Sequence, residues 1–267
     1  MQKLLLFLIL SCSLNTSIAQ NTNAKLKDIQ DNYRNFSQYS NQRDDYDSLF
    51  FYEHAFFNSL KSELEKKFKS TFKQLPQLFK DGNPITLLSS NDGKLNFICW
   101  DDQSGGTMRN TSCIVAYESN GKYIIENFYK EHENEEGSFN PFIRELHQVQ
   151  GQTGPIYLIF DLFIGSSALY YPSCKTLTIE NGLLNKNAKY IKTQSGLNNS
   201  ISYEIDFTRK FYRENNNISR NEIDFLFHFA PKIQAFHFPV VLESGEITKK
   251  RIYYQFDGQY FIKKKIQ

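Results

Sequence analysis

The chain has 267 residues, with 31 lysines and arginines against 29 aspartates and glutamates, a formal net charge of +2. That near-neutral balance argues against nucleic-acid binding, which usually shows a basic excess on one face. With 24 Phe, 16 Tyr and a single Trp making up 15% of the residues, the composition favours an aromatic-rich β core, because aromatic side chains suit pleated surfaces and bury large areas.

Met1 to Gln20 has the three parts of a cleavable signal peptide. Lys3 supplies the positive end, Leu4 to Leu10 the apolar run, and Ser17 and Ala19 the small residues at −3 and −1 of a cleavage site. The expected product therefore begins near Gln20 and is exported to the periplasm, the cell surface or the exterior. A second processing route uses Cys12, since Ile9-Leu10-Ser11-Cys12 faintly follows a lipobox and would leave a lipid-anchored Cys12. The apolar run is far short of the ~20 residues of a permanent membrane helix, and no later segment reaches that length. The expected organisation is a signal peptide over 1–19, a polar segment over 20–42 and one α+β domain over 43–267.

A helical pattern begins after Gln42. Asp44, Asp45 or Asp47 can cap it, and acidic residues suit the positive end of a helix dipole. Phe50, Ala55, Phe56, Leu60, Leu64, Phe68 and Phe72 then recur, mostly at four-residue steps. Lys61, Glu63, Glu65, Lys66 and Lys67 lie between them. The spacing predicts an amphipathic helix of about seven turns, ended by Pro76.

From Asn83 the pattern turns to strands joined by glycine turns. Asn91-Asp92-Gly93-Lys94 leads into Leu95 to Trp100, and Ser119-Asn120-Gly121-Lys122 joins Ile114–Tyr117 to Tyr123–Tyr129. Such turns tolerate the positive φ that tight hairpins require. Ile156 to Ile164 reads as a buried strand, and Lys175–Ile179 with Leu183–Leu184 flanks Glu180-Asn181-Gly182. Ser200 to Phe207 alternates, and a closing meander runs through Phe236–Leu242, Thr248–Phe256 and Tyr260–Lys263. Lys130–Gly137 and Arg209–Asn221 read as polar connections, and Lys263-Lys264-Lys265 as a solubilising tail. The fold class is thus α+β: a long N-terminal amphipathic helix packed on an antiparallel, hairpin-rich sheet or sandwich.

The most unusual segment is Cys99-Trp100-Asp101-Asp102-Gln103-Ser104-Gly105-Gly106-Thr107-Met108-Arg109. Trp100 can serve as a stacking platform, with Asp101, Asp102, Thr107 and Arg109 as polar contacts for a ligand. The same residues also suit a sharp strand connection with Trp100 packed beneath it. Cys99 and Cys113 flank Gly105-Gly106 nearly symmetrically. A hairpin there fits either a disulfide or two reduced, buried thiols, and Cys174 is left as an odd third cysteine.

The pattern Trp-Asp-x-x-x-Gly-Gly-Thr-Met after an Asp-Gly-Lys hairpin resembles a group of uncharacterised secreted proteins from Bacteroidota. The closing Pro239-Val240-Val241-Leu242-Glu243-Ser244-Gly245-Glu246-Ile247-Thr248, followed by Tyr254-Gln255-Phe256-Asp257-Gly258, is similar to the end of the same group. The likeness runs from about Pro84 to Phe261. It implies export and a shared fold, with no activity, cofactor or site residue attached.

Enzyme motifs are missing from the sequence: there is no Gly-x-Ser-x-Gly, His-Glu-x-x-His, phosphate-binding glycine loop or Cys-x-x-Cys. His228 and His237 can meet if they lie on adjacent strands. With Asp224 they would make a metal or acid/base site, although histidines among so many phenylalanines also suit a core margin. Asp101 and Asp102 do not suit a glycosidase pair, because neighbouring strand residues point apart. The sequence points to a non-enzymatic envelope protein that binds a protein or glycan partner, with no cofactor, metal or nucleic acid. The competing class is a hydrolase of surface polymers with a site assembled from scattered residues.

Overall fold

The computed structural model describes residues 24–39, 46–80, 84–103, 107–129, 140–215 and 223–264. The expected signal peptide with Cys12, the turn residues Ser104, Gly105 and Gly106, the connection 130–137 and Lys265 lie outside the described residues. The chain divides after Pro84 into a helical unit and a β-rich unit.

The helical unit begins earlier than the sequence pattern suggests. Residues 24–39, within the segment read as polar, form helix α1. Leu26, Ile29, Tyr33 and Phe36 are buried at three- and four-residue steps, the spacing of one helix face. Helix α2, Tyr46–Leu78, contains the expected pattern but is not one continuous helix. Lys67 has non-helical backbone angles (φ −147°, ψ 54°) and separates two segments. Phe56, Leu60, Leu64 and Phe68 are buried as expected, whereas Phe50 is exposed and Glu63, placed by the pattern on the polar face, is buried. Pro76 does not end the helix. It sits in the last turn, where its missing N–H removes one bond only, and the Phe79 amide still reaches the Leu75 carbonyl at 3.1 Å. Within this unit Phe56 packs against Tyr33 and Phe36, with ring centroids 5.4 and 6.3 Å away, so α1 and α2 lie side by side.

The β-rich unit stacks three sheets. The first is an antiparallel meander of β1 (Ile85–Ser89), β2 (Leu95–Asp101), β3 (Thr111–Ser119) and β4 (Lys122–Asn127). Asn120 and Gly121 at the β3–β4 turn both have positive φ, 50° and 76°, the combination that an Asn-Gly hairpin supplies. The central sheet contains β5 (Phe142–Gln150), β6 (Pro155–Ile164) and β7 (Leu169–Glu180), with the short strands β8 (Leu183–Asn185), β11 (Ser200–Ser202) and β12 (Ile205–Asp206) all pairing with β7. The alternating run from Ser200 to Phe207 is therefore two short strands and not one. The third sheet is built from β9 (Ile191–Thr193), β10 (Gly196–Asn198), β13 (His228–Ala230), β14 (Ala235–Val241), β15 (Ile247–Phe256) and β16 (Phe261–Lys263). Their order across it is β10-β9-β16-β15-β14-β13. Among the described pairings, β16 with β9 is parallel and the others are antiparallel. A five-residue helix, α3 (Lys210–Glu214), lies in the connection expected over Arg209–Asn221.

Strand β6 shows why the stack forms. Tyr157 and Ile159 point into a core with Leu95, Phe97, Val115 and Tyr117 of the first sheet. Ile156, Leu158 and Phe160 point into a second core with Phe236, Phe238, Tyr254 and Phe261 of the third. A strand covered on both faces needs apolar residues at consecutive positions, which is the run seen in the sequence. Polar contacts also tie the first two layers together. The Asp92 carboxylate in the β1–β2 turn accepts hydrogen bonds from Tyr157 Oη at 3.0 Å and Gln148 Nε2 at 3.2 Å.

Cys99 and Cys113 lie directly opposite on β2 and β3, both buried, and form a disulfide with Cα atoms 4.1 Å apart. Cys174 is a free, buried thiol in the second core, and burial pushes its pKa well up.

Candidate functional site

The described residues of the Trp100–Arg109 segment bond one another and their immediate neighbours. Trp100 has no exposed surface, which corrects the expectation of a stacking platform: its ring lies inside the fold and presents no face to a ligand. Asp101 Oδ1 accepts the amide of Gln103 at 2.9 Å, where φ is +62°, and Asp101 Oδ2 receives Arg109 Nη1 at 3.3 Å. Asp102 Oδ2 accepts Asn110 Nδ2 at 2.6 Å, and the Asn110 carboxamide oxygen holds the Asn140 amide at 2.7 Å. The Arg109 amide donates to the Ile164 carbonyl, joining the segment to β6. The two carboxylates thus take separate partners, Asp101 with Arg109 and Asp102 with Asn110. Thr107 is exposed and joins neither pair. Short polar side chains here satisfy backbone and neighbours in a tight connection.

The histidines do meet. His228 on β13 lies opposite His237 on β14, with ring centroids 5.5 Å apart, and His237 packs on Tyr253 of β15 at 4.8 Å. Asp224 Oδ1 is 2.7 Å from His228 Nε2, and Arg251 Nη2 donates to Asp224 Oδ2. A second pair, Glu145 with His147 on β5, is 2.8 Å apart, and the His147 ring stacks on Phe229 of β13 at 4.6 Å. The Asp224 carboxyl is raised by burial but held below the carboxylate range overall, because its hydrogen bond and ion pair with His228 and the Arg251 charge outweigh that burial. Among the described residues, no group of His, Cys, Asp or Glu is arranged to hold a metal ion. The cluster can orient an imidazole, with the Asp224 carboxylate on His228 and the Tyr253 ring beside His237.

His237 gives this edge a pH dependence. Burial, then the neighbouring His228 and Arg251 charges, lower its pKa from the ordinary imidazole value, and Nδ1 is buried without a hydrogen-bond partner. The unfolded chain therefore takes up the proton more readily than the fold. This contribution to stability is whole above about pH 6.5 and is lost as pH falls through the lowered folded value. The melting temperature should decline between pH 7 and pH 5. In His237→Phe, which keeps a ring against Tyr253 without a titrating nitrogen, the decline should be shallower, and an unchanged slope would assign the effect elsewhere.

A third feature lies at the other end of the third sheet. Strands β9 and β16 run parallel and finish side by side, with Phe261 against Ile191 and Ile262 against Lys192. Around their ends Lys192, Thr193, Gln194, Ser195, Tyr254, Ile262, Lys263 and Lys264 line an open groove of about 830 Å³. Thr193 Oγ1 accepts Asn198 Nδ2 at 2.7 Å and lies 2.9 Å from Ser195 Oγ, which shapes the β9–β10 turn into one wall. Lys263 belongs to β16 and pairs with Tyr254, and the Lys264 amide bonds the Tyr253 carbonyl, so these two residues are held by the sheet and are not part of a tail. Among the described residues none of the three lysines has an acidic partner within ion-pair distance. Sequence reasoning missed this grouping, because Lys192 and Lys263 meet only through a non-local parallel pairing.

Comparison with protein-family models, with curated proteins and with solved structures finds no match to this chain.

Proposed function

We propose that the chain is an exported, non-enzymatic binding protein of the cell envelope, related to the secreted Bacteroidota group that its Trp-Asp-x-x-x-Gly-Gly-Thr-Met segment resembles. The observation that carries this reading is the groove at the ends of β9 and β16. Its lining combines Thr193, Gln194 and Ser195 with Lys192, Lys263 and Lys264, and includes no histidine, aspartate or glutamate among the described residues. The residues with catalytic chemistry lie elsewhere. Asp101 and Asp102 are engaged within their own loop, and the His228 cluster belongs to the opposite edge strand of the third sheet. Among the described residues no helix is long and apolar enough to cross a membrane.

Export rests on the N-terminal pattern, with release after Ala19 or tethering through Cys12 as its two forms; the mass of the mature N-terminus distinguishes them. One observation favours the hydrolase reading: Asp224 orients His228 as a general base is oriented. Incubating the protein with envelope polysaccharide separates the two. Retention of polymer at unchanged length is the expected result. Shortening of the polymer that His228→Ala abolishes would replace the binding reading with the hydrolase, and neither retention nor shortening would remove glycans as the partner.

A further inference from the structure

We infer that the groove at the ends of β9 and β16 is a site for an acidic oligosaccharide, a chain bearing two or more carboxylate or sulfate groups. This deepens the binding-protein reading and rests on it. Lys192, Lys263 and Lys264 all line this one concavity at the strand ends. Each ammonium carries three donors, and no hydrogen bond or ion pair to a described residue occupies those of these three. Like charges brought near one another repel, and a bound anion relieves that repulsion. The Lys264 charge acts on Asp257, whose Oδ1 accepts the Gln259 and Tyr260 amides of its own turn, at 2.9 and 2.7 Å.

The remaining lining selects among anions. Thr193, Gln194 and Ser195 offer hydroxyl and amide groups on one wall, the partners that sugar hydroxyls need. Ile262 and Tyr254 are the apolar members of the lining. Tyr254 is almost wholly buried, so no exposed ring is available for the base stacking that single-stranded nucleic acid uses. The volume falls within the ~300–1,000 Å³ of ordinary ligand sites. The groove is open, so a chain can pass through it and place successive charges on successive lysines.

The test is calorimetric titration of the full chain with oligogalacturonate, with a chondroitin sulfate oligosaccharide and with a neutral mannose oligomer of equal length, at low and at high salt. The expected result is saturable binding of one or both acidic oligomers, none of the neutral one, and weakening as salt rises. Lys192→Gln/Lys263→Gln/Lys264→Gln should lower affinity at least tenfold with an unchanged melting temperature, and the corresponding Lys→Arg triple should retain it. Lys249→Gln/Lys250→Gln, on exposed β15 residues outside the groove, should leave affinity unchanged. Equal loss in that control would reduce the interaction to general charge attraction and overturn the site. Failure of both acidic oligomers to bind overturns it also, as does equal binding of the neutral oligomer, although equal binding leaves the binding-protein reading standing. Shortening of any oligomer sinks that broader reading instead.

Discussion

Replacing Phe236 with alanine should destabilise the β-rich unit by about 3–5 kcal/mol, the range for removing a fully buried phenylalanine. Phe236 has no exposed surface, and its ring lies 5.2 Å from that of Tyr254, 5.3 Å from Phe261 and 6.1 Å from Phe227. It also reaches Phe160 of β6 at 6.4 Å, so it is one of the side chains that bind the third sheet to the central one. The vacated space cannot collapse easily. Strand β14 is hydrogen-bonded on both sides, to β13 and β15, and sheet spacing holds those neighbours about 4.8 Å away. Leucine at the same position keeps much of the volume and should cost less. Phe51→Ala is the contrasting control, because that ring is 67% exposed, and surface changes usually stay within about 0.5 kcal/mol. Urea denaturation followed by tryptophan fluorescence reads the midpoint for all three variants. A Phe236→Ala midpoint no lower than that of Phe51→Ala would mean that the third sheet does not pack on the central one as described.

Which of these elements could be read from the chain follows from how local each cause is. Asn120-Gly121 and Asn181-Gly182 announce turns because both residues of each pair adopt positive φ, a demand that few side chains meet. The β6 run was legible for a similar reason: consecutive apolar residues flanked by turn residues fit a strand covered on both faces. Strand β5 was not, since Arg144, Glu145 and His147 interrupt its apolar pattern and a bulge shifts its register between Ile143 and Glu145. The break at Lys67 has no glycine or proline to mark it. Helix α1 carries its apolar face on few residues among many polar ones, and composition hid the spacing. At the candidate sites the same distinction holds. His228 and His237 were recognisable as a pair conditional on adjacent strands, a short-range event. Trp100 was ambiguous because β2 is buried at every position from Leu95 to Trp100, so alternation could not choose its side. The lysine groove required β9 to pair with β16, and no local rule encodes a parallel pairing between segments so far apart.

Removing the Cys99–Cys113 disulfide should lower stability by about 3 kcal/mol, the chain-entropy value for a closed loop of roughly fifteen residues. The two cysteines are separated by 14 positions, and the loop they close contains the Asp101–Arg109 and Asp102–Asn110 contacts. Alanine is the appropriate replacement at both positions, because both side chains are fully buried and serine would bury an unpaired hydroxyl. The wild-type denaturation midpoint should fall on addition of reductant, whereas that of Cys99→Ala/Cys113→Ala should not respond. Thiol labelling checks the same bond independently. Cys174 is buried and its thiol is held protonated, so native protein should resist iodoacetamide. In denaturant without reductant, protein processed after Ala19 should gain one label, at Cys174, and after reduction Cys99 and Cys113 should label as well. Labelling of all three before reduction would mean that β2 and β3 hold two free thiols, and the reductant-sensitive midpoint would then disappear with the disulfide.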